Sequence, residues 1–345
     1  MNRATRTARG SWRAVATLAL AALGLAGCAT TVVSAHFVIG RPSLSLNAPL
    51  QDVACTTLGA CLAVGVDDAG QPAALGELRQ ADGRWTAIVV PNANSQTVTS
   101  SACWTSECLI GGSTSAGDSL WTFDPQSLSV SISPAPHGGL GVSALTCFSP
   151  GSCALVDTTG IAGDSRLSFT DDGGSTWSTP EALPWTTGDA VTALSCADDL
   201  DCLVAATNDR SHVLLEVTHD GGLTWTPRPV PSTWTALTSL TCAQLRCVAL
   251  ATTSTTSLVV RTDTYFRLWR DATLENSASA LACTTLSRCV VVGQTSSRGS
   301  WLATVKEMRV TSVKLKYVPS ALVDVACSAK VCAAVAVGTV LSLRP

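Results

Sequence analysis

Fourteen of the fifteen cysteines in this 345-residue chain fall into seven close pairs that recur at a steady interval. The pairs are Cys55 with Cys61, Cys103 with Cys108, Cys147 with Cys153, Cys196 with Cys202, Cys242 with Cys247, Cys283 with Cys289 and Cys327 with Cys332. Successive first cysteines lie 48, 44, 49, 46, 41 and 44 residues apart. The flanks repeat with them. Ser143–Cys147 (SALTC), Thr192–Cys196 (TALSC) and Ala280–Cys283 (ALAC) are versions of one short strand, and Cys61–Gly65 (CLAVG), Cys202–Ala205 (CLVA) and Cys289–Gly293 (CVVVG) are versions of the next. Two apolar runs joined by a short polar turn make a β-hairpin with a cysteine at each inner end. Facing strand residues bring their Cβ atoms within about 5.5 Å, which suits a cross-strand disulfide. Two other readings compete. Zinc would need two pairs to converge, which separate repeats do not offer, and free thiols are unusual outside the cytoplasm.

A period of roughly 40–50 residues is that of a four-stranded propeller blade. The sequence therefore predicts an all-β fold, a seven-bladed β-propeller of four-stranded antiparallel blades. Between the second cysteine of one pair and the first of the next lie 41, 38, 42, 39, 35 and 37 residues, whereas 13 follow Cys332 and 26 precede Cys55 after position 28. Together the two ends supply one more interval of the same length. The last blade is thus expected to be closed by an N-terminal strand drawn from Phe37 to Asn47, which would pair an edge otherwise open to aggregation.

The first 27 residues have the form of a secretion leader. Residues 1–13 carry Arg3, Arg6, Arg9 and Arg13, residues 14–27 are uncharged and apolar, and Leu25-Ala26-Gly27-Cys28 follows directly. That ending resembles the bacterial lipobox, which implies cleavage before Cys28 and lipidation of it. Each buried methylene contributes about 0.8 kcal/mol, so two or three acyl chains hold firmly. The expected organisation is a signal peptide over 1–27, a lipidated tether over 28–36 and the propeller over 37–345. Eight tether residues reach at most about 28 Å, which would keep the propeller close to the outer face of the bacterial cytoplasmic membrane.

Without the four leader arginines, 18 basic side chains face 25 acidic ones, a balance of −7. Only Lys306, Lys314, Lys316 and Lys330 are lysines, and no basic stripe interleaves with aromatics, so nucleic acid is not an expected partner. The four histidines, His36, His137, His212 and His219, lack ligand spacing, and neither a metal nor another cofactor is expected. The domain is expected to be monomeric.

Two stretches, Thr170-Asp171-Asp172-Gly173-Gly174-Ser175-Thr176-Trp177 and Thr218-His219-Asp220-Gly221-Gly222-Leu223-Thr224-Trp225, carry the most specific motif. Both resemble the Asp box of BNR or sialidase-type propellers, a turn between the third and fourth strands of a blade. The resemblance implies structural roles for Asp172, Gly174, Thr176, Trp177, Asp220, Gly222, Thr224 and Trp225: aspartate caps the turn, glycine takes positive φ, and tryptophan packs between blades. Trp177 and Trp225 stand 24 and 23 residues beyond the second cysteine of their repeats, and Trp85 and Trp269 stand 24 and 22 beyond theirs with worn boxes. Trp121 and Trp301 are expected on third strands.

The sialidase resemblance raises glycoside hydrolysis, which needs arginines on the substrate carboxylate, a tyrosine nucleophile and an acidic proton donor. Phe266-Arg267-Leu268-Trp269 lacks the proline of the family's arginine motif and follows both boxes, and Tyr265 and Tyr317 are the only tyrosines. No Gly-x-Ser-x-Gly elbow occurs. No catalytic residues are assigned. The chain is also similar to photosystem-assembly lipoproteins in anchor and blade number, but lacks their arginine-rich patch. The expected function is a non-catalytic binding or scaffold module for an envelope protein or glycan, with a divergent glycoside hydrolase as the alternative.

Overall fold

The computed structural model describes residues 37–40 and 50–343, apart from the short stretches 67–71, 78–84, 89, 92–96, 115–116, 137–140, 159–163, 186–188, 244–245, 263–268, 314, 316–319 and 338. Cys28 and the leader and tether expected around it lie outside these residues. So do His36, His137, Tyr265 and Tyr317.

Every described element is a β-strand. Strand β1 (Phe37–Gly40) stands apart at the start of the chain. Sheet 1 is β2 (Leu50–Cys55), β3 (Cys61–Val66), β4 (Pro72–Glu77) and β5 (Trp85–Ile88). Sheet 2 is β6 (Thr97–Cys103), β7 (Cys108–Thr114), β8 (Gly117–Asp124) and β9 (Ser129–Ser133). Sheet 3 is β10 (Gly141–Ser149), β11 (Ser152–Thr158), β12 (Ser165–Thr170) and β13 (Glu181–Ala182). Sheet 4 is β14 (Ala190–Cys196), β15 (Cys202–Thr207), β16 (Val213–Thr218) and β17 (Thr226–Pro227). Sheet 5 is β18 (Trp234–Ala243), β19 (Arg246–Thr253), β20 (Ser257–Thr262) and β21 (Trp269–Thr273). Sheet 6 is β22 (Ser277–Thr285), β23 (Arg288–Gln294), β24 (Ser300–Lys306) and β25 (Arg309–Val313). These six are each built from four consecutive antiparallel strands. A further four-stranded sheet, sheet 7, combines β26 (Leu322–Cys327), β27 (Cys332–Ala336) and β28 (Thr339–Leu343) with β1, whose register sets Phe37 opposite Leu343 and Gly40 opposite Val340.

The first strand of each sheet touches the first strand of the next, from β2 through β6, β10, β14, β18 and β22 to β26, and β26 touches β2. The sheets are therefore arranged radially, with first strands innermost, as blades of a β-propeller. The apolar core is divided among the gaps between neighbouring sheets. One cluster joins Leu62, Val64 and Ile88 of sheet 1 to Ile110, Trp121 and Phe123 of sheet 2. Another joins Leu50, Ala63 and Trp85 of sheet 1 to Ala333, Val335 and Val340 of sheet 7.

This division explains the composition of the second strands. Each has inner and third strands at its edges and a neighbouring sheet over each face, so alternation gives way to a continuous apolar run such as Leu62-Ala63-Val64 or Val290-Val291-Val292. Close approach also limits side-chain size. At Gly112 and Gly293, each four residues past the second cysteine, an added Cβ would fall 2.1 Å from the carbonyl oxygens of Thr97 and Ser277.

The paired cysteines face each other directly across the first two strands of every sheet, at Cα separations of 3.9 to 4.1 Å, and all seven pairs are disulfide-bonded. In order along the chain, Cys55 bonds Cys61, Cys103 bonds Cys108, Cys147 bonds Cys153, Cys196 bonds Cys202, Cys242 bonds Cys247, Cys283 bonds Cys289 and Cys327 bonds Cys332. The second members are the deeper ones: Cys61, Cys108, Cys153, Cys247 and Cys332 are wholly buried, each at the start of a second strand covered on both faces. Each inner strand also carries an irregularity in register next to the fourth residue before its first cysteine, at Gln51, Thr99, Ser143, Thr192, Thr238, Ser279 and Val323. Such bulges sharpen strand twist. Two of these residues stitch sheets together: the hydroxyl of Thr99 donates to the Val142 carbonyl at 2.6 Å and that of Thr192 to the Leu237 carbonyl at 2.7 Å.

Candidate functional site

The turn between β12 and β13 and the turn between β16 and β17 are built alike. In the first, Asp172 accepts hydrogen bonds from the Thr176 amide at 2.8 Å, the Thr176 hydroxyl at 2.6 Å and the Thr170 hydroxyl at 2.8 Å. In the second, Asp220 accepts the same three bonds from Thr224 and Thr218 at 2.8, 2.6 and 2.8 Å. Gly173 and Gly174 have φ of 71° and 89°, and Gly221 and Gly222 have 71° and 93°, a left-handed pair that side-chain-bearing residues resist. A Cβ on Gly174 would also press on Leu109 of sheet 2 at 3.0 Å. Trp177 packs on the cluster between sheets 2 and 3 and donates its indole N–H to the Pro134 carbonyl at 3.2 Å. Trp225 packs on the cluster between sheets 3 and 4. Trp121 and Trp301 lie buried on the third strands β8 and β24, while Trp85 and Trp269 open the fourth strands β5 and β21.

Hydrogen bonds from the Thr176 and Thr170 groups to the ionised form hold Asp172 down at about 2. Asp220 is lowered for the same reasons. A depressed carboxylate contributes stability that is complete above its unfolded value and is lost as the pH falls through its folded one. The advantage of the native protein over Asp172→Asn in urea unfolding is therefore expected to hold at pH 5, shrink between pH 4 and 2, and vanish at lower pH. An advantage independent of pH over that range would contradict the assignment.

These turns share one end of the propeller with the disulfide hairpins. The Gly173 amide donates to the Gly151 carbonyl at 2.9 Å and the Gly221 amide to the Leu200 carbonyl at 3.1 Å, so each turn leans on the hairpin turn of its own sheet. Two clefts open on this face. One, of about 490 Å³, lies where sheet 3 meets sheet 4 and is lined by Phe169, Asp171, Thr176, Trp177, Ser178 and Asp199. The exposed carboxylates of Asp171 and Asp199 make no hydrogen bond or ion pair among the described residues, while the half-buried Trp177 supplies an aromatic surface. The other, of about 440 Å³, spans the inner ends of sheets 3, 4 and 5 and is lined by Thr146, Phe148, Ser195, Leu240 and Thr241 with the first cysteines of those sheets. Together they offer hydroxyls, two carboxylates and aromatic surface.

Sequence spacing separates Asp201 from His219, but the fold brings them together. His219 Nδ1 lies 2.5 Å from Asp201 Oδ1, with the imidazole 40% exposed. The residue before Cys202 and the residue that follows β16 meet because hairpin and turn lean together, a contact that ligand spacing along the chain does not announce. Ser195 lines the same crevice, yet its hydroxyl accepts the Cys242 amide at 3.0 Å and the crevice holds only about 10 Å³. That is room for one water at most. No cluster of three or more histidine, cysteine or acidic residues among the described residues could hold a metal ion.

No protein-family model matches the sequence, and no curated protein does. Solved structures do. The chain is similar to YCF48 bound to D1 peptide, at 15% identity and a TM-score of 0.65 over 90% of this chain and 97% of that one. It is similar to a catalytically inactive form of virginiamycin B lyase from Staphylococcus aureus with quinupristin, at 10% identity and a TM-score of 0.63 over 90% and 99%. Similarity to the GH74 xyloglucanase from Xanthomonas campestris is 12% with a TM-score of 0.63, over 88% of this chain and 53% of that one. At such identities the likeness establishes a shared β-propeller fold.

Proposed function

We propose that the protein is an exported lipoprotein, anchored through lipid on Cys28, whose seven sheets close into one ring and act as a non-catalytic binding or scaffold module for an envelope protein or glycan. In this reading the partner docks on the disulfide-bearing face, and the β12–β13 and β16–β17 turns are Asp boxes that shape that face without taking part in chemistry. The carrying observation is the pair of clefts opening side by side across sheets 3 to 5. Both Asp172 and Asp220 spend their carboxylate oxygens on the turn itself, which leaves them unsuited to substrate. The seven disulfides support an exported address, since close pairs persist in oxidising compartments. YCF48 with a bound peptide provides a precedent for a binding propeller, and the xyloglucanase a precedent for glycan chemistry.

A photo-crosslinking side chain at Ser178 or Thr241, on the proposed face, tests the reading in intact cells against one at Arg298, in the β23–β24 turn at the opposite end. The expected result is one envelope species joined from the first two positions and none from the third. Turnover in a panel of fluorogenic glycosides, abolished by Tyr265→Phe or Tyr317→Phe, would replace the binding role with the glycosidase.

A further inference from the structure

Asp52 on β2 and Asp324 on β26 occupy the same repeat position, three residues before the first cysteine of their sheets, and their buried carboxyls lie within reach of each other. Asp324 Oδ2 accepts the Val53 amide at 2.8 Å, joining sheet 7 to sheet 1. Asp52 Oδ2 accepts both the amide and the hydroxyl of Ser101, joining sheet 1 to sheet 2. The same bond occurs elsewhere in neutral form: at the equivalent position in sheet 5, Ser239 Oγ accepts the Leu281 amide at 3.1 Å. In sheets 3, 4 and 6 the position is Ala144, Ala193 and Ala280. A hydroxyl thus suffices to make this inter-sheet bond, and two adjacent acids add something a hydroxyl lacks, a proton that can leave.

We propose that the Asp52–Asp324 pair is a proton-operated latch on the seam where the first and last sheets meet, closed while the two carboxyls share one proton and loosened when it departs. Donation from Ser101 suits Asp52 to be the ionised member, which leaves Asp324 to carry the proton between them. Among the described residues, no cation makes an ion pair with either carboxyl. Strands β3, β6, β22 and β27, packed around β2 and β26, carry no lysine, arginine, histidine or further acid. The one charged residue of β23, Arg288, opens that strand at the disulfide end, where Lys330 of the hairpin turn in sheet 7 packs against Gly59 of sheet 1. Burial raises both carboxyls above the ordinary 3.8, and the charge of Asp52 pushes Asp324 well above it. Because these folded-state values are raised, the stability the latch contributes is full at low pH and is lost as the pH climbs through the raised value of Asp324.

The test compares the disulfide-bonded wild type with Asp324→Asn, whose amide donates to Asp52 permanently while its oxygen still accepts the Val53 N–H. Between pH 5 and 8 the melting temperature of the wild type is expected to fall by roughly 3 °C or more relative to that of the variant. The wild-type to variant ratio of hydrogen-exchange rates at the Val53 and Ser101 amides should rise at least tenfold over that range. At the Leu281 amide, held by the neutral Ser239 hydroxyl, the ratio should stay flat. If Asp324→Asn does not fold, Asp52→Asn removes the neighbouring charge from Asp324 while burial still raises that carboxyl, so the same profiles should become shallower than those of the wild type. Parallel melting curves and flat exchange ratios at all three amides would overturn the proposal.

Discussion

Reducing the disulfides is expected to unfold this protein at 37 °C, although each bridge closes a loop of only five or six residues. Loop-closure entropy gives about 2 kcal/mol for so short a ring. Seven such contributions rival the whole stability of a folded protein, about 5–15 kcal/mol. Each bridge acts on its own hairpin, so the losses should be nearly independent. Replacing both Cys196 and Cys202 by serine should cost about 2 kcal/mol in urea unfolding. Circular dichroism with and without reductant at 37 °C measures the first effect, and a fully reduced protein that keeps its native spectrum would refute it.

Trp85→Ala is expected to lose about 3–5 kcal/mol, the upper range for a single packing substitution. The indole is fully buried, fills the space between sheet 1 and sheet 7 against Ala333, Val335 and Val340, and donates its N–H to the Ser342 hydroxyl at 3.3 Å. Deletion therefore leaves a cavity on the seam and removes the indole's bond to Ser342. Trp269, one of the worn-box tryptophans, is only half-buried and meets Trp234 edge to face at 5.2 Å, so Trp269→Ala should cost visibly less. Equal losses for the two substitutions in equilibrium unfolding would contradict this packing.

The fold was legible from the cysteines because a disulfide hairpin is a local object. Its two members lie five or six residues apart, and strand direction, turn position and repeat length follow from that spacing. The β12–β13 and β16–β17 turns were legible for the same reason, since every bond Asp172 makes is to a residue within four positions. What stayed hidden are features made across the radial arrangement. Asp324 and Val53 are 271 residues apart and meet only because the first and last sheets are neighbours, so nothing in either segment announces the carboxyl pair. His219 and Asp201 are 18 apart, but their meeting depends on how a hairpin turn and an outer turn lean together. The clefts across sheets 3 to 5 draw side chains from separate repeats, and a sequence pattern repeated in every sheet carries no signal of which gaps open.

The sharpest test of the architecture is a disulfide map of the unreduced protein by mass spectrometry of proteolytic fragments. The structure predicts no free thiol among the fourteen paired cysteines and seven bonds, each within its own sheet, from Cys55 to Cys61 in the first, through Cys147 to Cys153 and Cys242 to Cys247, to Cys327 with Cys332 in the last. A fragment joining cysteines of two different sheets would show that the repeats are not independently stapled sectors, and the account of the fold built on them would fail.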